Sequence, residues 1–133
     1  MVKEVVKINN QFLVPTLVTN TSWSDFRDAI LRNDIPWIEE NINSIKTVVT
    51  DIDFIVTANL GGKTLSFVDS PGEFDATLEN TSFFKNFGED KFKTGLYKTS
   101  KGLALIAVGK VYDSNGEGNP SGLCLFGKII EIS

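Results

Sequence analysis

The sequence predicts an α+β domain: a mostly antiparallel sheet of about six strands, with two amphipathic helices from the N-terminal half packed on one face. Three observations carry this expectation. Between Trp23 and Val49 the apolar residues recur at helical spacing. From Asp51 onward, short apolar runs alternate with glycine, proline, asparagine and serine turn chemistry. The last two runs, Leu103–Tyr112 and Leu123–Ile132, are apolar on both faces over most of their length. Strands of that kind run through the middle of a covered sheet.

Taken in order, Val2–Ile8 reads as a strand, and the extended piece after it holds Pro15, which cannot donate to a ladder and marks an edge or strand end. Thr21 or Ser22 is placed to cap the first helix, with Asp25 in its first turn and Trp23, Phe26 and Ile30 on one face. Asp34 and Pro36 open a second helix. Its apolar stripe is Ile38, Ile42, Ile45 and Val49, and Glu39, Glu40, Asn43 and Lys46 lie opposite. Strands are expected at residues 53–59, 63–69 and 74–80, separated by Gly61-Gly62 and Ser70-Pro71-Gly72. Residues 82–93 read as a helical turn or structured loop, and 95–102 as a strand end with a tight turn. The two long apolar strands complete the sheet.

Length bounds the organisation: 133 residues fit a single domain over 1–133. A formal net charge of −4 argues against duplex DNA or an anionic membrane as partner, since both require a positive face. Cys124 is the only cysteine, so no internal disulfide exists, and its apolar strand makes it a small buried hydrophobe. No apolar run approaches the ~18 residues of a membrane span, and the first residues lack a signal-peptide core. The expected compartment is the cytoplasm, or a virion assembled there. The chain has no histidine, which removes histidine-dependent hydrolysis and, with one cysteine, zinc sites of thiolate and imidazole type.

Several motifs resemble chemistry and break on inspection. Asp113, Asn115, Glu117 and Gly118 fall on calcium-loop positions, but the twelfth position is Cys124 and both flanks are strands. The loop at 113–122 therefore reads as a turn, and no metal or other cofactor is assigned. Gly61–Thr64 resembles the end of a phosphate-binding loop, yet Thr57 stands where its first glycine belongs and a strand follows. Asp51, Asp53, Asp69, Glu73 and Asp75, with Glu89 and Lys91, are the parts of a carboxylate- and metal-dependent hydrolase, but they sit at strand ends and in loops.

The richest segment is Phe83 to Gly102. Phe83, Phe84, Phe87, Phe92 and Tyr97 interleave there with Lys85, Lys91, Lys93, Lys98 and Lys101. Its net charge of +3 leaves −7 on the rest of the chain. Aromatics beside lysines suit single-stranded nucleic acid, where bases stack and phosphates are tracked. They equally suit a protein contact surface, or a core whose lysines are solvated neighbours. The binding set named on these grounds is Phe83, Phe84, Lys85, Phe87, Lys91, Phe92, Lys93, Tyr97 and Lys98.

No active site assembles from these parts. The reading ranked first is a small non-catalytic binding or assembly protein, a homo-oligomeric intracellular or virion component acting through protein contacts or self-association. Single-stranded nucleic-acid binding through 83–101 stands second, and the carboxylate- and metal-dependent hydrolase third.

Overall fold

The computed structural model describes Leu17 and residues 20–131. The strand expected at Val2–Ile8 and the edge at Pro15 lie outside the described residues. Among the described residues the chain is α+β, with one five-stranded, wholly antiparallel sheet. Its strands are β1 (Phe54–Asn59), β2 (Thr64–Val68), β3 (Phe92–Thr99), β4 (Gly102–Val111) and β5 (Gly122–Glu131). They lie in the order β2-β1-β5-β4-β3. The two apolar runs, β4 and β5, pair with each other near the centre, and β1 closes against the far side of β5.

Among the described residues five strands form, and two local readings change. Residues 74–80 do not form a strand. Phe74 and Leu78 are buried, but beneath the sheet, and a bridge between Lys63 and Thr77 is all the ladder they make. Their alternation serves a loop lying on a face. Conversely, β3 is a full strand of eight residues where a strand end was expected. As an edge strand it needs only one partner, β4, and its polar residues stay in solvent.

Helix α1 (Ser24–Leu31) is not capped by Thr21 or Ser22. The N–H of Ser24 donates to Ser114 Oγ at 3.1 Å, and the N–H of Ser114 returns a bond to Ser24 Oγ at 2.9 Å. The cap thus comes from the β4–β5 connection, a source no local sequence pattern reveals. The second helical stretch opens as foreseen, with Asp34 Oδ1 accepting from the N–H of Trp37 and Pro36 in the first turn. It is not one helix. α2 (Ile35–Ile38) passes through a π segment (Glu39–Asn43) before α3 (Ile45–Val48). The π segment places Asn43 on the buried side instead of the polar one, where its Nδ2 donates to Ser66 Oγ of β2 at 2.8 Å.

Both faces of the sheet are covered. On one, Ile55, Leu105, Ala107, Cys124 and Phe126 meet Phe26, Ile30, Ile38 and Ile42 from the helices, with Trp23 and Trp37 edge to face at 5.0 Å beside them. On the other, Phe54, Val56, Ile106, Val108 and Leu125 meet Phe74, Leu78 and Phe87 from the long connection between β2 and β3. Two glycines of β5 sit at close approaches, and a Cβ at Gly122 would lie 2.2 Å from the Ala58 carbonyl oxygen. A Cβ at Gly127 would lie 2.1 Å from Cζ of Phe54.

Cys124 is fully buried, opposite Thr57 in the β1–β5 register. Burial pushes its thiol up to about 12 from 9.0, and the Thr57 hydroxyl only partly offsets this.

Two measurements check this packing. Gly127→Ala lowers the urea stability by about 1–3 kcal/mol, as overpacking of a filled core does. An unchanged midpoint would mean that Phe54 turns away freely. Cys124 resists a thiol reagent such as DTNB at pH 8 until the chain unfolds. Its folded thiol holds a proton to higher pH than the unfolded one, so its contribution to stability is complete below pH 9 and is lost between 9 and about 12.

Candidate functional site

A cavity of about 250 Å³ opens between α4 (Ser82–Lys85) and the edge of the sheet at β3. Its origin lies in the alternation of β3. Side chains at i, i+2 and i+4 share a face, so Lys93, Gly95 and Tyr97 all point to the side that holds Ile106 and Val108 of β4. The middle one is glycine. Nothing lies within 4 Å of where its Cβ would be, and its backbone is ordinary strand. Neither conformation nor crowding requires a glycine there. What its missing side chain provides is open space against Ile106, with Lys93 on one side and Tyr97 on the other.

The opposing wall is held by the β2–β3 connection. Ser100 donates its N–H to the Glu73 carboxylate and its hydroxyl to Pro71 O at 2.7 Å, which pins the connection to the β3–β4 turn. The N–H of Leu78 reaches Gly62 O at 2.7 Å, and the Phe84 ring lies against Gly62, whose φ of +94° suits only glycine. Thr81, buried, caps α4 by accepting from the N–H of Phe84. At the far end Lys93 Nζ donates to Asn86 O, and Lys110 Nζ to Gly88 O at 2.6 Å.

Three rings make the apolar wall rigid. Phe74, Phe83 and Tyr97 stand mutually edge-on or tilted, with centroids 5.4 to 6.0 Å apart. Such arrangements add to burial energy and fix ring orientation. The lining mixes polar and apolar surface: Lys93 is the ionised group, joined by Ser82 and Asn86, while Thr94 turns its side chain to the other face of β3. A concave site that joins an aromatic wall to a small number of placed polar groups is a common form of small-molecule site.

The nine residues named from sequence do not form one surface. Phe83, Lys93 and Tyr97 come together in the cavity. Phe87 is buried beneath the sheet with Lys110 Nζ 5.1 Å over its ring, and Phe84 packs on the β1–β2 turn. Phe92, 45% exposed, lies across β3 on the helix-side face, as does Lys98. Lys91 extends to Gly116 O at 3.0 Å and lies over the Tyr112 ring, while Lys85 is exposed on α4. Among the lining residues that sequence reasoning missed are Ser82, Asn86, Gly95 and Ile106. A glycine at the centre of a two-residue alternation was the available signal.

The acids are dispersed on structural tasks. Asp53 Oδ2 accepts the Ile129 N–H, Glu73 holds Ser100, and Asp51 lies 3.8 Å from Lys128 Nζ. Asp69 pairs with Lys46 at 2.7 Å, and this partner holds its carboxyl below the usual value. Asp113 Oδ1 accepts the N–H groups of Asn115 and Glu117, closing the 113–118 turn. Among the described residues no three acids, cysteines or histidines gather as metal ligands.

The family model for the CHASE4 domain matches residues 7–132. The chain belongs to the CHASE4 family. It is 23% identical over 119 residues to the methanogenesis regulatory histidine kinase FilI of Methanothrix harundinacea (strain 6Ac). That match covers 82% of this chain and 13% of the kinase, so the CHASE4 chain spans a small fraction of its relative's length. CHASE4 is a sensory domain, and the relative is a signalling protein.

These findings overturn the reading as a virion component or assembly protein, and with it the nucleic-acid and hydrolase alternatives. The physical reasons agree. The lysines and rings of 83–101 alternate across two faces of β3 and do not line one groove. The acids are spread over separate turns and strand ends. No helix among the described residues of the CHASE4 chain is long and apolar enough to cross a membrane.

Gly95→Val places a side chain in the cavity, where a Cβ meets nothing within 4 Å, and is expected to raise the thermal midpoint, because glycine inside a strand costs about 0.5–1 kcal/mol relative to alanine. A fall in the midpoint would show that the space is needed for folding.

Proposed function

We propose that this chain is the ligand-sensing segment of a longer sensor protein, non-catalytic in itself, and that it takes a small molecule into the cavity beneath β3. The observation that carries this reading is the glycine at position 95. Its absent side chain leaves a chamber open beside a rigid aromatic wall, at a point where any β-branched residue would suit the strand better. Membership of a sensory family supplies the context in which an open chamber has a use. The likeness to a histidine kinase supports an output passed to other parts of a sensor, not a reaction carried out within these residues.

The size of the chamber limits the ligand. About 250 Å³ is roughly eight times the ~30 Å³ that one water occupies in the liquid, and lies below the usual range for drug-sized sites. A single ring or short chain with one polar head fits, and a nucleotide does not. Ser82, Phe83 and Asn86 belong to the covering connection, whereas Gly95 and Tyr97 belong to the sheet. A molecule bridging them would alter how the two layers meet, which is the elementary step of a sensor that binds before it signals.

A screen of small metabolites against the isolated chain, read by thermal shift and by two-dimensional amide NMR, checks the site. Ligands are expected to perturb Phe83, Thr94 and Tyr97 amides, and to lose all effect on Gly95→Val while that variant remains folded. Ligands that bind Gly95→Val as well as wild type would remove the cavity from consideration.

A further inference from the structure

The walls of the same cavity also say what charge its ligand carries. The chain as a whole is acidic, with a net charge of −4. Around the chamber the balance is reversed. Lys93 is the one ionised side chain in the lining, and no carboxylate belongs to it. Asp90, whose side chain is 65% exposed and outside the lining, stands 4.0 Å from Lys93 Nζ. An ammonium carries three donors. One is on Asn86 O, which leaves others for a group inside the chamber.

Rings alone do not settle the sign, since Phe83 and Tyr97 could also attract a cation by their faces. The lysine decides between the two. A cationic ligand within the chamber would meet a like charge with no lining carboxylate to offset it. An anionic one would gain a charge-assisted hydrogen bond in partly desolvated surroundings, about twice the strength of a neutral one. Resting on the reading of this cavity as the ligand site, we propose that the ligand is a small organic monoanion: a carboxylate on a single apolar or aromatic body. Its head is held by Lys93, with the Ser82 hydroxyl nearby, and its body lies between Phe83, Tyr97 and Ile106.

Gly95 and Lys93 then divide the work. The glycine admits the body, and the lysine, two residues earlier on the same face, selects the head. Lys93 is a specificity-determining residue in this assignment. Two nearby lysines take no part: Lys91 and Lys110 are directed to the carbonyls of Gly116 and Gly88.

The test compares three near-isosteric probes at pH 7 and low salt: phenylacetate, phenylacetamide and phenethylamine, titrated to millimolar concentration and followed by amide NMR. Wild type is expected to bind phenylacetate at least about tenfold more tightly than phenylacetamide, and phenethylamine more weakly still. Lys93→Met should bring phenylacetate down to the affinity of the amide while leaving the amide's affinity within about twofold. Lys93→Arg keeps the charge and should keep most of the preference. Equal binding of phenylacetate and phenylacetamide to wild type would overturn the anion assignment and leave the cavity standing. Tighter binding of phenethylamine would overturn it in the opposite direction. Failure of all three probes to perturb wild type, or perturbation that persists in Gly95→Val, would overturn the cavity as ligand site and this inference with it.

Discussion

Two neighbouring strands that are apolar on both sides impose the main constraint on this molecule. β4 and β5 present Ala104, Ile106, Val108, Leu123 and Leu125 to one face and Leu105, Ala107, Cys124 and Phe126 to the other. Neither face can be left in water, at roughly 25 cal/mol for each Å² of apolar surface. The chain meets this need with unlike materials. Helical segments from residues 24–48 cover one face, and an irregular connection with one short helix covers the other. The helical side closes around large side chains such as Phe26, Ile38 and Phe126. The irregular side must be pinned at its two ends and middle, and leaves a chamber where its helical turn passes over a glycine.

How much of this was legible follows from that asymmetry. β4 and β5 announce themselves because nothing but a buried strand is apolar on both sides for so long. β1 and β2 are legible from their flanking turns. β3 is obscured because an edge strand mixes Phe92 and Leu96 with lysines, and its pattern resembles that of a solvated loop. Residues 74–80 mislead in the reverse sense. Phe74 and Leu78 are buried by lying flat on a face, and a loop that does so can copy the alternation of a strand. Asn43 shows a third limit. A π segment rotates the helix, and no periodicity computed at 3.6 residues per turn anticipates it.

The site was half legible. The segment 83–101 was singled out for its aromatics and lysines, and three of those residues do meet at the cavity. The others are divided by the pleat of β3 and by burial, which composition does not report. The decisive residue, Gly95, carries no chemistry of its own. A side chain that is missing leaves little trace in a sequence, and its meaning depends on Ile106, a residue from the neighbouring strand. The carboxylates taught the complementary lesson. Asp53, Glu73 and Asp113 each hold backbone N–H groups, and their number reflects how many strand ends and turns need fastening.

The pairing order of the sheet bears on how the chain comes to be folded. β1 lies between β2 and β5, so its second partner arrives some seventy residues later, with Phe54 opposite Gly127. The reciprocal serine bonds that fasten the start of α1 to the β4–β5 loop span 90 residues. By contrast, β3, β4 and β5 join neighbours in sequence. On a ribosome, therefore, the first half of the chain emerges with its hairpin and helices lacking the surface they are made to cover, and it must stay unaggregated until β5 is synthesised. Closure of such distant contacts is slow relative to local hairpins. The β3–β5 meander can pair through neighbours alone, whereas the N-terminal layer lacks its full packing surface until β5 is made.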